Sequence, residues 1–181
     1  DVDKYCYYVA GVVGELLAAL FCEYNHTIDK HALMILSVSF GEGLQLTNIL
    51  KDRVEDKKRN VSYLPKVVNS EYKSMVENYI ALCQGHLDDA LAFICKVPTT
   101  EYGIRLFCLL NIAMATATLK LISKSDLFDE KKPKITRNKV KFLYVLRKIC
   151  AKNNFLTVCF FKLLSHGVKR ERRSALELRN K

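Results

Sequence analysis

Only three prolines, Pro65, Pro98 and Pro133, interrupt this 181-residue chain. The stretches between them are filled with Leu, Ala, Ile, Val and Lys at helical spacing. Proline disfavours helical geometry in the residue before it, and the alternation that marks half-buried strands is hard to find. An all-α fold is predicted. Asp1 or Asp3 can cap a first helix to about Tyr24, and Asn25 to Asp29 reads as a turn. A second helix covers about Lys30 to Asp56 and leads into a polar loop ending at Pro65. A third covers about Ser70 to Lys96, and Thr99 or Thr100 can start a fourth that runs to about Ser123. After a charged loop to Pro133, two short helices are expected, Thr136 to Cys150 and Asn154 to Ser165.

Half of the residues are hydrophobic, enough to bury one sizeable core. Residues 1–168 therefore read as one globular unit and residues 169–181 as a basic tail. The longest charge-free stretch, Leu106 to Leu119, falls short of the roughly 20 residues that cross a bilayer and reads as a buried core helix. No basic start followed by an apolar segment opens the sequence, so a cytoplasmic location is expected. The seven cysteines are scattered and form no C-x-x-C pair, which points to buried, reduced thiols. The formal charge of +10 suggests an anionic partner: a phosphorylated substrate, a membrane surface or a nucleic acid. The tail from Lys169 could rest on an anionic membrane.

The second helix carries the chemistry. Gln45, Asn48, Asp52 and Asp56 are three, four and four residues apart and fall along one face. Leu44, Leu46, Ile49 and Leu50 surround that polar stripe, so it is expected to border a cleft. Two carboxylates one turn apart offer the hard oxygen ligands that Mg²⁺ prefers. The plain alternative is a helix end whose acids pair with Lys51, Arg53 and Lys57. On the first helix Tyr5, Val9 and Val13 recur every four residues and would share a side. Gly11 and Gly14 there allow a neighbour to approach closely. His86-Leu-Asp-Asp89 is a further acidic cluster and reads as an exposed face.

Taken as strings, these segments resemble the squalene/phytoene synthase family. Gln45, Thr47, Asn48, Ile49, Asp52, Glu55 and Asp56, followed by Tyr63-Leu-Pro65, are similar to its second aspartate-rich motif. Asp3 to Gly14 is similar to its tyrosine block, and Gly103 to Leu119 to its apolar late helix, with Asn111 where proline is expected. The arginine usual four residues before the motif's proline is Val61 here. An earlier aspartate-rich motif, which the family carries upstream of the tyrosine block, is absent from this sequence.

The resemblance implies an isoprenoid synthase helical bundle, of which this chain would be the C-terminal part, lacking the N-terminal helices. It also implies head-to-head joining of two isoprenoid diphosphates, farnesyl or geranylgeranyl, with Mg²⁺ and, in a squalene synthase, NADPH. Asp52 and Asp56 would hold metal, Gln45 and Asn48 would lie beside the diphosphate, Val9 and Val13 would line the prenyl pocket, and Tyr5 would be the catalytic acid or base. Phytoene or dehydrosqualene synthesis is the nearest alternative. A non-catalytic helical remnant that binds a lipid or partner is an alternative of another class, and a nucleic-acid partner is not expected.

Overall fold

A computed structural model describes residues 2–127 and 132–171. The first rod consists of α1 (Val2–Cys6), a π-helical turn (Tyr7–Gly11) and α2 (Val12–Tyr24). It is followed by α3 (Lys30–Lys58), α4 (Asn69–Lys96), α5 (Tyr102–Lys124), α6 (Arg137–Cys150) and α7 (Asn154–Ser165). Among the described residues there is no strand, as the proline and apolar spacing predicts.

Local chemistry sets most boundaries. Asp29 caps α3 by accepting from the Ala32 amide at 3.0 Å. Thr136 caps α6 through the Lys139 amide at 3.2 Å. The Asn153 side chain takes the Phe155 and Leu156 amides at the start of α7, at 2.7 and 3.3 Å. Each side chain satisfies donors that a helix start leaves unpaired. The threonines expected to cap α5 do not do so, because the cap position falls at Glu101, whose side chain makes no cap bond. Its carboxylate accepts from Asn25 Nδ2 at 2.6 Å and ties the α2–α3 turn to the α4–α5 turn.

Helix α3 is the axis of the molecule, packed against the first rod on one side and against α4 and α5 on others. Missing Cβ atoms set these distances. A Cβ on Gly14 would overlap the Ser37 carbonyl oxygen, and one on Gly41 would overlap that of Ala10. The two backbones therefore touch at a reciprocal crossing that any side chain would force apart. On the opposite flank Gly43 lies against α4, where a Cβ would stand 3.2 Å from His86 Cβ and 3.3 Å from the Leu87 amide nitrogen.

Helix α5 carries α6 and α7, and Arg105 fixes the joint. Its guanidinium is wholly buried. It donates to the carbonyls of Ile94 and Val97 at the end of α4 (2.8 and 2.7 Å), to Ala151 beyond α6 (2.7 Å) and to Asn154 Oδ1 (2.8 Å). Carbonyls left unpaired at helix C-termini carry partial negative charge, so this cation is held by backbone dipoles. Burial pushes the pKa of Arg105 down from its ordinary value.

Three rods, Val2–Tyr24, Lys30–Lys58 and Tyr102–Lys124, are long and apolar enough to cross a membrane by length and composition. That corrects the expectation that no stretch reaches this length. In α5 the apolar residues Cys108, Leu109, Ile112, Leu119 and Ile122 are buried against neighbouring helices, as expected of a core helix. The first rod differs, leaving Val9, Val12, Val13, Leu16 and Leu20 exposed. All seven cysteines are free. Five are buried, whereas Cys95 is half-buried and Cys159 is exposed, against the expectation of a buried thiol.

The tail expected from Lys169 begins by folding back. Arg170 Nε donates to Asp88 Oδ2 at 2.9 Å, and the Glu171 amide donates to the Ala81 carbonyl at 3.0 Å. Residues 172–181 lie outside the described residues.

Candidate active site on the central helix

The crossing at Gly14 and Gly41 forms the floor of a groove of about 230 Å³ between the first rod, α3 and α5. Val9 and Val13 line one wall, Leu44, Gln45 and Asn48 another, and Phe107 and Asn111 of α5 close it. The groove follows from the packing: backbones pressed together hold the flanking side chains apart. Four of the expected site residues, Val9, Val13, Gln45 and Asn48, are thus brought together. The stripe on α3 does border a cleft at this end. Asn111, which stands where the resemblance expects proline, lines the groove and donates to the Phe107 carbonyl at 2.9 Å.

One turn further along the stripe, Asp52 is already engaged. Lys132 Nζ lies 2.7 Å from Asp52 Oδ1 and 2.8 Å from Glu55 Oε2, and Lys51 lies 3.6 Å from Asp52 Oδ2. The hydrogen bonds to Asp52 and then Glu55 raise the pKa of Lys132. Of the basic partners expected for these acids, Lys51 is in place, but Arg53 is turned inward. Its guanidinium donates to the carbonyls of Leu50 and Leu127 at 2.8 and 3.4 Å. Lys132 comes from a loop far along the chain, and helix spacing carries no signal for it.

Asp56, at the end of the stripe, borders a second depression with Tyr63 and Tyr72. Tyr5 reaches this end of the stripe and stands outside the Val9–Val13 groove. Its ring lies 4.8 Å from that of Tyr63, tilted by 33°. Its pKa is raised, first by the hydrogen bond to Tyr63, then by burial and by the nearby Tyr63, Cys6 and Asp56. Each cause disfavours the phenolate, so Tyr5 stands as a neutral phenol, able to offer a hydrogen bond and unsuited to acting as a base. The even four-residue spacing of Tyr5, Val9 and Val13 would put all three on one side, but the π turn between them adds a residue and rotates Tyr5 away from the valines. Tyr63, which the motif resemblance touches without a role, is the partner that the fold supplies.

The His86–Asp89 segment is not an exposed face. His86 and Glu42 are both buried, with His86 Nε2 3.6 Å from Glu42 Oε2. His86 Nδ1 lies 3.3 Å from Ser39 Oγ, and Ser39 donates to Asp89 Oδ2 at 3.2 Å. The close approach of α4 at Gly43 seals this polar cluster between two helices. Among the described residues, no group of three or more His, Cys, Asp or Glu side chains could hold a metal ion. The oxygen donors that this chain offers Mg²⁺ on the stripe are the Asp52 and Asp56 carboxylates. They suit the ion chemically but fill only part of its roughly octahedral shell.

The fold and the stripe define an all-α protein whose central helix leads from an apolar groove to a pair of carboxylates. Residues 1–139 match the squalene/phytoene synthase family, and the chain belongs to that family. It is similar to a probable squalene synthase of Neurospora crassa, with 31% identity over 76% of this chain and 32% of that protein. The squalene synthase of Schizosaccharomyces pombe is 32% identical over 71% of this chain and 31% of its own length. That of Saccharomyces cerevisiae is 33% identical over 67% and 31%. The chain thus spans about a third of the length of these relatives.

Proposed function

We propose that this chain forms one wall of the reaction chamber of a prenyltransferase that joins two isoprenoid diphosphates head to head. The squalene synthase form of the reaction uses two farnesyl diphosphates and passes through a cyclopropyl diphosphate. One observation carries the reading. A single face of α3 runs from the apolar groove at Val9 and Val13, past Gln45 and Asn48, to Asp52 and Asp56. Hydrocarbon, hydrogen-bonding amides and carboxylates follow one another in the order of a prenyl chain and its metal-bound head. From Asn48 to Asp56 this face extends about 12 Å at the helical rise per residue.

Val9 and Val13 hold hydrocarbon, and Gln45 and Asn48 orient the carbon that bears the diphosphate. Asp52 and Asp56 are the chain's ligands for Mg²⁺, which when bound neutralises charge on the departing diphosphate. Tyr5, held as a neutral phenol by Tyr63 and burial, hydrogen-bonds the leaving group when its one hydroxyl hydrogen turns from Tyr63. Reduction by NADPH would distinguish the squalene branch from the phytoene and dehydrosqualene branches. The depth of the groove would select a C15 or a C20 chain. Activity at the cytoplasmic surface of a membrane fits a lipid product, and no nucleic acid takes part.

The test is incubation of farnesyl or geranylgeranyl diphosphate with Mg²⁺, with and without NADPH, followed by mass spectrometry of extracted products. Asp52→Ala and Asp56→Ala should each abolish product. Product that survives both substitutions would refute the assignment. A second reading, a non-catalytic binding module, is favoured by Lys132, whose ammonium, shared with Glu55, occupies Asp52, one of the two carboxylates assigned to metal. It predicts no Mg²⁺-dependent binding of a non-hydrolysable farnesyl diphosphate analogue in calorimetry.

A further inference from the structure

We propose that α6 and α7 form a docking surface for membranes containing anionic phospholipid. The inference stands apart from the catalytic reading, because it uses none of the residues of the α3 stripe. It begins with charge. The chain has 19 acidic residues, yet none lies between 137 and 170. Over the same span basic residues recur, among them Arg137, Lys139, Lys141, Lys148, Lys152 and Lys162. A surface of one sign attracts the anionic face of a bilayer, at about 1 kcal/mol for each lysine or arginine near it, or roughly fivefold in binding.

Exposed apolar side chains lie among those charges. Helix α6 has an inner apolar face, with Leu143 and Cys150 buried, and also an outer one. Phe142, Val145 and Ile149 follow the i, i+3, i+7 spacing of one helix face, yet they are 54%, 61% and 58% exposed. Lys141 and Lys148 are exposed beside that stripe. On α7, Phe155 and Leu163 are exposed at 73% and 71%. Exposed cations sit over aromatic rings here: Lys139 is 5.6 Å from the Phe142 centroid, and Lys148 is 5.2 Å from that of Tyr144. Basic side chains level with aromatic and aliphatic ones suit the boundary between headgroups and acyl chains.

The chemistry favours a bilayer over other occupants. Val145, Ile149 and Leu163 have no π-face on which a nucleic-acid base could stack, and their burial needs hydrocarbon. Symmetric pairing with a second copy would bring two all-basic surfaces together. The exposed apolar residues Val12 and Leu16 of α2 make a useful contrast, since Glu15 lies between them and α2 contains no lysine or arginine.

The experiment is sedimentation of the full chain with phosphatidylcholine vesicles, with and without phosphatidylserine. Binding should require phosphatidylserine and weaken steeply with added salt. Phe142→Ser/Val145→Ser/Ile149→Ser should lower it by about tenfold or more, while far-ultraviolet circular dichroism stays unchanged. Lys141→Ser/Lys148→Ser should cost roughly fivefold per lysine at low salt. Val12→Ser/Leu16→Ser, and removal of residues 172–181, should leave most of the binding. Equal affinity for neutral vesicles, or equal losses in the α2 variant, would overturn the proposal. So would loss on removing residues 172–181, which would assign binding to the tail. If the α6 triple variant instead abolishes self-association in solution and spares vesicle binding, the occupant is a second copy. Tight RNA binding that the apolar substitutions do not alter would assign the charge to nucleic acid.

Discussion

Helix α3 is packed closely on two flanks, and what lies beyond each glycine contact differs. Toward α4, Gly43 admits a helix whose side chains fill the space. Thr47 Oγ1 lies 3.2 Å from Cys83 Sγ, and Glu42, His86 and Ser39 are sealed in. Toward the first rod, Gly14 and Gly41 bring backbone against backbone, and the side chains around the crossing open into the groove. Reactive residue types therefore do not mark the accessible chemistry here. The buried histidine and glutamate lie on the sealed flank, whereas two amides and two valines face the groove.

The sharpest contrast is in thiol reactivity. Burial pushes the Cys83 thiol up to about 12, which near neutral pH leaves about a thousandfold less thiolate than an ordinary thiol has. Native protein treated with a thiol-specific chromogenic disulfide should release its first equivalent from exposed Cys159, and Cys83 should react only on unfolding. Rapid native labelling of Cys83 would mean that the α4 flank is open. The glycines come next. Gly14→Ala and Gly41→Ala each set a methyl against a carbonyl oxygen and should cost about 3 kcal/mol, whereas Gly43→Ala meets mostly side-chain atoms and should cost about 1 kcal/mol in urea unfolding. Equal costs would erase the distinction between the two flanks.

The α-helical class and nearly every helix boundary could be read from prolines, caps and apolar spacing, because those signals act within a few residues. The groove was partly legible: stripe spacing placed Gln45 and Asn48, and Gly14 foretold a close approach beneath them, but its counterpart Gly41 was not singled out. What could not be read depends on long-range packing. Lys132 reaches Asp52 from a distant loop, Asn111 enters the groove only because α5 lies across it, and His86 is buried because Gly43 lets α4 close in. The π turn had no distinct signal, since its one glycine, Gly11, reads equally as a packing position and no proline lies within Tyr7–Gly11.

Smaller effects refine the open flank. Tyr5 has a pKa above the ordinary 10.0, so its contribution to stability is fully present below pH 10.0 and is lost as pH rises through the folded value. Tyr63→Phe should bring Tyr5 back toward 10.0, seen as earlier tyrosinate absorbance in an alkaline titration. An unchanged titration would show that burial alone holds the proton. The smallest change is expected for Lys132→Met. An ion pair this exposed should alter unfolding free energy by no more than about 0.5 kcal/mol. A loss several times larger would make Lys132 a structural tie between its loop and α3.

The π turn has a consequence for how this rod tolerates changes in length. It works as a phase shift of about 100° between two stretches that otherwise share one period, and this lets a single helix serve the Tyr63 end and the groove at different angles. Deleting one residue within Tyr7–Gly11 would restore the period and swing Tyr5 out of line with Tyr63, while Val13 and Gly14 kept their places. Inserting one residue between Val12 and Gly14 would instead leave the tyrosine pair intact and carry the Gly14 crossing off Ser37.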